Sequence, residues 1–396
     1  MPDRVIFHCD CNSFFASVEE TFNPQYKAVP MAVAGDPASR HGIILAKNEL
    51  AKKFNIKTAE TVHSALQKCP NLTLCPPRRG AYSDFCERVN AIYAEYTDRV
   101  ERFGIDESYL DMTMFAGAER EFADELRARV AADIGITISV GVSWNKCFAK
   151  LGSDYKKPDA TTVITRENYR DIVWNLPVSD LFMVGRNTAD ALRKINVRTI
   201  GDLARVDEHT LATMFGKLGE SLHRNANGFD DDTVATIGTS EPPKSVGNGR
   251  TFRRDLVTID DIHAGVNALA DSVATRLRAV ERKCSTVQVT IKDASLRSIQ
   301  RQKSVAVPTF VATDIARTAV EIIEAVWNIG KPIRMLTVTA QNLVASDQAV
   351  EQLSLFGGDN TVQQRKKEDL EHAVDKIRGK YGDGSVWRGA GDEVIE

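Results

Sequence analysis

Two adjacent carboxylates, Asp106 and Glu107, lie in the segment GIDESYLD (residues 104–111), which otherwise has the composition of a β-strand. A third carboxylate, Asp10, ends an apolar segment near the start of the chain. One interpretation of the pair is a solvent-exposed hairpin turn, where acidic residues are well tolerated. The other is that the strands are neighbours and the three carboxylates meet. Their repulsion would then raise their pKa values unless cations neutralise them.

A cluster of carboxylate oxygens favours Mg²⁺ or Mn²⁺ over zinc. Two such ions about 3.5–4 Å apart stabilise the attacking and leaving oxygens of in-line phosphoryl transfer. The predicted chemistry is therefore two-metal phosphoryl transfer. A zinc site is the competing hypothesis, because His8, Cys9 and Cys11 are close in sequence. However, these three residues lie on an apolar strand with no second pair of ligands downstream, which is unlike a zinc motif.

The spacing of apolar residues predicts the strands and helices around the carboxylates. A strand from Val5 to Cys9 runs into a helix that carries Phe14 and Phe15, and a helix at 82–97 has apolar residues at helical spacing. Two strands then flank the carboxylate pair, followed by a helix at 119–133 and the strand ITISVGV. This order predicts an α+β layer, a sheet with helices on one face.

Beyond residue 166 the sequence predicts short helices to about residue 232, then a Pro-, Gly- and Ser-rich linker, TSEPPKSVGNG (239–249). After the linker, three strands (STVQVTI, SIQRQKSVAV and RMLTVTAQNL) and helices at 259–281 and 311–328 predict a second α+β module. The tail holds a helix with Leu370, Val374, Ile377 and Tyr381 on one predicted apolar face.

Charge is distributed unevenly along the chain. The net charge is −3, but residues 242–345 contain 15 Lys and Arg against 9 Asp and Glu. A basic module often follows a phosphate backbone, although a merely solvated basic face is the alternative. No apolar run approaches the ~20 residues of a membrane span, and MPDRVIFHCD lacks the features of a signal peptide. The seven cysteines are odd in number and lack paired spacing, which favours reduced thiols, so we expect a cytoplasmic protein.

Three motifs, FHCDCNSFFASVEE, GIDESYLD and GVSWNKCFAKLGSDYKKPDA, occur in the order and at the separations found in Y-family translesion DNA polymerases of the bacterial polymerase IV and V type. The resemblance runs from about residue 5 to 345. It implies a multidomain right-hand architecture of palm, fingers and thumb, with a DNA-holding domain called the little finger. It also implies a polymerase that extends a primer on template DNA with deoxynucleoside triphosphates (dNTPs), past damaged bases and without proofreading.

The implied domain boundaries combine this resemblance with the changes in composition. They are palm at 1–22 and 77–165, fingers at 23–76, thumb at 166–232, little finger at 242–345, and a C-terminal tail at 346–396. The thumb segment LFMVGRNTADALRKI (181–195) resembles a helix-hairpin-helix, in which main-chain amides at a helix N-terminus contact a DNA phosphate.

Site residues are carried over from the resemblance one at a time. Asp10, Asp106 and Glu107 match the catalytic metal ligands for two Mg²⁺ ions, for which Mn²⁺ can substitute, and the main-chain carbonyl of Cys11 is a further ligand. Phe15 matches the aromatic residue that excludes a ribose 2′-hydroxyl. Lys157 matches the lysine that contacts the incoming triphosphate.

The fingers depart from the family pattern. Relatives carry a tyrosine and an arginine three residues apart that hold the triphosphate, where this chain has Glu49 and Lys52. A lysine can contact phosphate only as a point charge, and an inward carboxylate would repel it. We therefore expect Lys52, but not Glu49, to bind substrate. The other lysines of the third motif, Lys146, Lys150 and Lys156, are predicted to be solvated or to face DNA.

Two further surfaces are implied. Basic residues on or beside strands of the second module would contact DNA phosphates without reading sequence; these are Arg250, Arg253, Arg254, Arg301 and Lys303. In the tail, QLSLF resembles the peptide by which bacterial polymerases bind the sliding clamp (the beta subunit), through Gln352, Leu353, Leu355 and Phe356. The chain is expected to be a monomer associated with the nucleoid.

Two other functions remain possible on the sequence. A catalytically silent DNA-binding scaffold of the same fold would be expected to lack the carboxylates, and all three are present. A nucleotidyl cyclase also holds two metals in its palm, but it has no use for the basic module or the thumb-like helices.

Overall fold

The computed structural model describes residues 4–36, 42–239, 242–347 and 360–386. Its fold divides the chain into two units, Met1–Thr239 and Ser240–Glu396. Each unit has its own hydrophobic core.

A five-stranded sheet forms the centre of the first unit. Its strands are β1 (Ile6–Cys11), β5 (Val100–Arg102), β6 (Glu107–Asp111), β7 (Ile138–Ser143) and β8 (Thr161–Val163), and they lie in the order β5-β6-β1-β7-β8. Four helices pack around this sheet: α1 (Phe14–Phe22), α4 (Ala81–Ala94), α5 (Glu119–Ile134) and α6 (Lys146–Tyr155). The α+β class predicted from the sequence is confirmed.

Helices cover both faces of this sheet, so the expectation of one covered face was wrong. α4 and α5 pack on the face that carries Phe7 and Cys9, whereas α6 packs on the other, where Ile6 meets Ala149. The physical reason is the composition of β1. All six residues of β1 are buried, including the polar His8 and Asp10, and since strand residues alternate between faces, both faces of the strand are covered.

Two glycines allow α6 to approach the sheet closely. A Cβ at Gly141 of β7 would lie 1.9 Å from the Ala149 carbonyl oxygen, and a Cβ at Gly152 would lie 3.0 Å from the Cα of Gly141. No other residue fits at Gly141, because the clash is with main chain rather than with a movable side chain. This close approach brings the side chains of α6 next to β1.

A smaller three-stranded sheet follows α1. It comprises β2 (Met31–Ala34), β3 (Ile44–Lys47) and β4 (Thr73–Cys75), in the order β3-β2-β4, with the short helices α2 (Glu49–Lys52) and α3 (Val62–Lys68). The first unit ends in a helical region made of α7 (Tyr169–Ile172), α8 (Arg186–Lys194), α9 (Ile200–Arg205), α10 (Glu208–Phe215) and α11 (Lys217–Ala226). Gly185 is the N-cap of α8, and the element before it is a three-residue 3₁₀ turn, Val178–Asp180.

The second unit contains an antiparallel four-stranded sheet. Its strands are β9 (Ser245–Leu256), β10 (Arg282–Asp293), β11 (Ser298–Thr309) and β12 (Ile333–Ala345), in the order β11-β10-β12-β9. Its helices are α12 (Ile259–Ala279), α13 (Ala312–Val326) and α14 (Asn360–Tyr381). The three strands and two long helices that the sequence predicted here are all present. β9 begins at Ser245, inside the segment predicted to be linker, so the linker is shorter than its composition indicated.

The tail helix α14 does not bury the face that its periodicity predicted. Leu370, Ile377 and Tyr381 are exposed, and Val374 alone of the four is buried. The helix is instead held by charge, because Glu371, 1% exposed, pairs with the buried guanidinium of Arg278 on α12. In the described part of the chain, no helix is long and apolar enough to cross a membrane.

Candidate active site

The three carboxylates predicted to meet lie on adjacent strands. Asp10 of β1 is directly opposite Glu107 of β6 in the antiparallel register. The amide of Cys11 donates to the carbonyl oxygen of Asp106 at 2.9 Å, so Asp106 is next to the end of β1. Residues far apart in sequence are therefore neighbours at one edge of the sheet, as the strand pattern predicted.

The environment of Asp10 and Asp106 disfavours their negative charge. Asp10 is 8% exposed, and burial raises its pKa to about 6 even though Lys157 lies 2.8 Å away and favours the ionised form. Burial and the charge of Glu107 raise the pKa of Asp106 as well. Two carboxylates whose ionisation is costly gain most from a bound cation, because a dication offsets the desolvation that burial imposes.

Glu107 is held differently from the other two. His8, fully buried, lies 3.1 Å from its carboxylate, and Lys150 of α6 forms an ion pair with it. The hydrogen bond from His8 and the nearby Lys150 lower the Glu107 pKa to about 2. Ser153 Oγ is 2.7 Å from the other ring nitrogen of His8 and fixes the orientation of the ring. Sequence reasoning missed this Ser153–His8–Glu107 chain, because Ser153 and His8 are 145 residues apart.

The lysines of α6 are not the solvated charges that the sequence predicted. Lys150 is only 18% exposed and pairs with Glu107, while Lys146 is 13% exposed and donates to both carboxylate oxygens of Glu101 at 2.7 and 2.8 Å. The expectation failed because the close approach at Gly141 places this face of α6 against the sheet. Lys156, by contrast, is exposed.

His8 and the two cysteines of β1 point to opposite faces of the sheet, which argues against a shared zinc site. Cys9 and Cys11 lie in the core with α4 and α5, whereas His8 points to α6 and bonds to Ser153. Burial raises the pKa of both thiols, so neither is a ready thiolate ligand.

The donors present fit a hard divalent cation. Asp10 and Asp106 supply carboxylate oxygens, and Cys11, whose thiol is in the core, can supply only its main-chain carbonyl. Over the described residues, no three His, Cys, Asp or Glu side chains already form a metal cluster, because Glu107 is turned toward His8 and Lys150. Asp10, Asp106 and the Cys11 carbonyl would hold the ion, with Glu107 beside them.

A cavity of about 350 Å³ opens in front of Asp10 and Asp106. It is lined by residues from the strand edge, from α1 and from the region of the smaller sheet, among them Phe15, Lys52 and Lys157, the three residues predicted to bind substrate. Lys47 and Thr58 also line it, and sequence reasoning did not identify either. Cations and carboxylates therefore share one cavity, which suits an anionic substrate that is bound through metal ions.

The two adjacent phenylalanines have different roles. Phe14 is buried in the core, whereas Phe15 is partly exposed at the cavity wall. The ring of Phe15 stacks on Tyr82 with centroids 3.9 Å apart and planes 5° from parallel. Tyr82 is fixed in turn by donating its hydroxyl to Glu19 at 2.8 Å. The Phe15 ring is therefore rigidly placed beside the carboxylates.

Glu49 and Lys52 of α2 pair with each other. The Lys52 Nζ lies 2.5 Å from a Glu49 carboxylate oxygen, which also accepts a hydrogen bond from Ser13 Oγ at 3.0 Å. Lys52 lines the cavity, whereas Glu49 is not among the lining residues described.

The five basic residues singled out in the second unit do not form one free surface. Arg254 makes two hydrogen bonds to the Asp261 carboxylate, at 2.6 and 3.0 Å, and thereby lowers the pKa of that group. Lys303 pairs with Glu321 of α13 at 2.8 Å. All five side chains are nevertheless exposed.

The face of this sheet that points away from its helices carries side-chain amides. The Gln288 side chain points away from the helices that pack on this sheet, because its neighbours Val287 and Val289 are in the core against those helices. Its side-chain oxygen accepts hydrogen bonds from Gln300 at 2.8 Å and Gln341 at 2.9 Å, which links three strands. The result is a polar surface without side-chain charge at these positions.

Comparison with known proteins identifies relatives along most of the chain. Residues 9–154 match the model of the impB/mucB/samB family, residues 179–230 match "DNA polymerase-iota, thumb domain", and residues 243–355 match the C-terminal domain of the impB/mucB/samB family. The chain is 44% identical to the DNA polymerase IV of Acetivibrio thermocellus, over 98% of this chain and 97% of the relative. It is 35% identical to DNA polymerase IV 1 of Bacillus subtilis, over 98% of this chain and 93% of the relative.

The fold is also similar to that of a solved structure, a Y-family DNA polymerase chimera. The TM-score is 0.76 at 22% sequence identity, over 86% of this chain and 99% of that chain. At this identity the likeness concerns the fold.

Proposed function

Because the chain belongs to the impB/mucB/samB family, the Y-family DNA polymerases, we propose that it extends primers on damaged templates by two-metal phosphoryl transfer. The observation that carries this proposal is the cavity that joins Asp10 and Asp106 to Phe15 and Lys157. It offers carboxylates for cations, a lysine for phosphate and an aromatic wall for a sugar.

Each side chain has a defined task in this proposal. Asp10, Asp106 and the Cys11 carbonyl hold the ions, and Glu107 completes the set of carboxylates. The ions, when bound, stabilise negative charge on the attacking and leaving oxygens. Lys157, which pairs with Asp10 at 2.8 Å, contacts the triphosphate. The Phe15 ring fills the volume that a ribose 2′-hydroxyl would need.

The proposed division of labour follows the domain boundaries predicted from sequence. The palm (1–22 and 77–165) holds the carboxylates, the fingers (23–76) and thumb (166–232) contact nucleotide and DNA, and the little finger (242–345) holds the duplex. The clamp-binding peptide predicted at 352–356 lies outside the described residues and stays a prediction. So do the monomeric state and the association with the nucleoid.

A primer-extension assay tests the proposal. Purified protein with Mg²⁺ should add deoxynucleotides to a labelled primer on an intact template, and on a template that contains an abasic site. The Asp106→Ala variant should bind the same DNA but add none, because it lacks a metal ligand. A wild-type protein that binds DNA without extension would instead support the scaffold alternative. Conversion of a nucleoside triphosphate into a cyclic nucleotide, without any need for a primer, would support the cyclase.

A further inference from the structure

Lys47 is a cavity residue that neither the motifs nor the family pattern identified. It is the last residue of β3 and lines the cavity together with Lys52, Thr58 and Lys157. Its Nζ donates to Thr58 Oγ1 at 2.9 Å. A lysine and a hydroxyl, both hydrogen-bond donors, therefore line the same cavity as Asp10 and Asp106.

The backbone that carries Lys47 is fixed by the next residue, Asn48, which is 4% exposed. The Asn48 side-chain oxygen accepts from the amides of Met31 at 3.1 Å and Ala51 at 3.0 Å. Its side-chain amide donates to the carbonyls of Tyr26 and Val29 at 3.1 and 2.9 Å. Such a satisfied buried group holds the end of β3 and the start of α2 in one position. The main chain at Lys47 is consequently fixed where its side chain lines the cavity.

The three cavity lysines differ in their partners. Lys52 pairs with Glu49 at 2.5 Å, and Lys157 pairs with Asp10 and Asp154 at 2.8 and 2.6 Å. Lys47 forms no ion pair with a carboxylate in the part of the chain that the structure describes, and it bonds to a neutral hydroxyl.

The electrostatics of Lys47 favour an anion. Burial and the nearby positive charge of Lys52 lower its pKa, which means that its charged form is under-compensated in this structure. A phosphate oxygen beside Lys47 would restore that compensation through a charge-assisted hydrogen bond.

We propose that Lys47 directly binds the phosphate tail of the incoming nucleotide and provides the grip that Lys52, neutralised by Glu49, provides only weakly. This inference rests on the proposed polymerase function and assigns a substrate-binding role to a residue outside the family motifs. Together with Lys157, Lys47 supplies a second ammonium group to the cavity that holds the metal carboxylates. The absence of an arginine fork in α2 is thereby offset by a second lysine from β3.

The test compares Lys47→Met with Lys53→Met, a matched loss of an exposed lysine at the end of α2. Binding of dCTP and dCMP opposite a template guanine is measured on a complex whose primer ends in a dideoxynucleotide, so that no chemistry occurs. Lys47→Met should raise the Kd of dCTP about tenfold and that of dCMP less than twofold, since one charge-assisted hydrogen bond to phosphate is removed. Lys47→Arg should restore most of the dCTP affinity, and Lys53→Met should change neither Kd.

Steady-state kinetics give a second readout. Lys47→Met should raise the KM for dCTP about tenfold with a much smaller change in kcat, because the hydrogen bond to phosphate forms in the ground state as well as in the transition state. An equal rise in Kd for dCTP and dCMP would overturn the proposal, because it would show a structural effect on the pocket. An unchanged dCTP Kd, or a larger selective loss in Lys52→Met, would overturn it as well. Failure of the wild-type protein to extend a primer would instead refute the polymerase function.

Discussion

At the scale of single residues, Asp10 is needed for the proposed catalysis but lowers the stability of the metal-free protein. Burial raises its pKa from an ordinary 3.8 to about 6, which corresponds to roughly 3 kcal/mol of unfavourable charge burial at neutral pH. In the metal-free protein, Asp10→Asn should therefore raise the unfolding free energy at about pH 7.5 while it abolishes primer extension. Lys157 loses one partner in this variant but keeps Asp154 at 2.6 Å. Urea unfolding in EDTA, beside a primer-extension assay, measures both effects.

The sign of the pH dependence follows from the raised pKa of Asp10. Below pH 3.8 the group is protonated in both states and contributes nothing. Between pH 3.8 and about 6 the unfolded chain releases the proton while the folded chain retains it, so the wild-type protein loses stability as the pH rises. The advantage of Asp10→Asn in unfolding free energy should thus grow over this window and then level off. A constant difference from about pH 4 to 7 would show that burial does not disfavour the Asp10 charge.

Phe15 should determine the choice of sugar. Its ring is held by the stacked Tyr82, so it cannot easily move aside for a 2′-hydroxyl. Phe15→Ala should raise the relative kcat/KM for ribonucleotides about 100-fold or more, with a much smaller loss for deoxynucleotides. Competition between dCTP and CTP in single-nucleotide insertion measures this ratio, and Phe22→Ala is a control at an exposed ring of the same helix. Unchanged discrimination in Phe15→Ala would assign the ring to packing alone.

At the scale of elements, the close packing of α6 on β7 positions the site. Gly141→Ala would place a Cβ 1.9 Å from the Ala149 carbonyl oxygen and push α6 away from the sheet. We expect a loss of about 3 kcal/mol or more in unfolding free energy, because main chain cannot yield as a side chain can. Activity should also fall, since Lys150, Ser153 and Lys157 would leave their partners on β1 and β6. Gly185→Ala is the control, because nothing lies within 4 Å of its Cβ position and it should cost little.

Substitutions at the contacts of the tail helix α14 test whether ion pairs or apolar packing attach it to the second unit. Arg278 is 3% exposed and forms ion pairs of 2.8 Å with Glu371 and of 2.5 and 2.7 Å with Asp375. Glu371→Met should destabilise the protein by about 3 kcal/mol, because it leaves a buried guanidinium partly unpaired. Combining it with Arg278→Met should cost less than the sum of the single changes, whereas Leu370→Ala on the exposed face should cost little. Urea unfolding of the four variants gives the coupling, and strict additivity would contradict the ion-pair account.

At the scale of the whole molecule, the excess of positive charge at 242–345 is only partly available for DNA. Arg254, Arg278 and Lys303 already have carboxylate partners within the second unit. Neutralising a residue of this kind should therefore affect the stability of the protein more than its binding to DNA.

Three exposed arginines of this unit test the DNA-holding role. Replacing Arg250, Arg253 and Arg301 by alanine should weaken primer-template binding and reduce the slope of log Kd against log salt, by about 0.9 for each phosphate that the protein no longer neutralises. Arg254→Ala should leave that slope unchanged and lower the thermal stability instead, because it removes the bidentate pair with Asp261. Titrations at several salt concentrations measure the slope. A triple variant with an unchanged slope would place the DNA-holding surface elsewhere.

Features that depend on local residue pattern could be predicted from the amino-acid sequence. The strand pattern around Asp10, Asp106 and Glu107 left two interpretations open, a hairpin turn or a meeting of the three carboxylates, and the register of β1 and β6 agrees with the second. The apolar pattern predicted the α+β class and the strands and helices of the second unit. Secondary structure depends mainly on neighbours within a few residues, and polar positions are easily recognised in an otherwise apolar segment.

The surroundings of each of these groups could not be predicted in this way, because they depend on tertiary contacts. The contacts of His8 and Lys150 with Glu107 require α6 to lie against β1. This packing depends on the lack of a side chain at Gly141. The place of Lys47 in the cavity and the burial of Glu371 in α14 were equally hidden, because their partners come from other elements. The energy of a charged side chain depends on its desolvation and on groups within a few ångströms, and packing brings those groups together from positions far apart in the sequence.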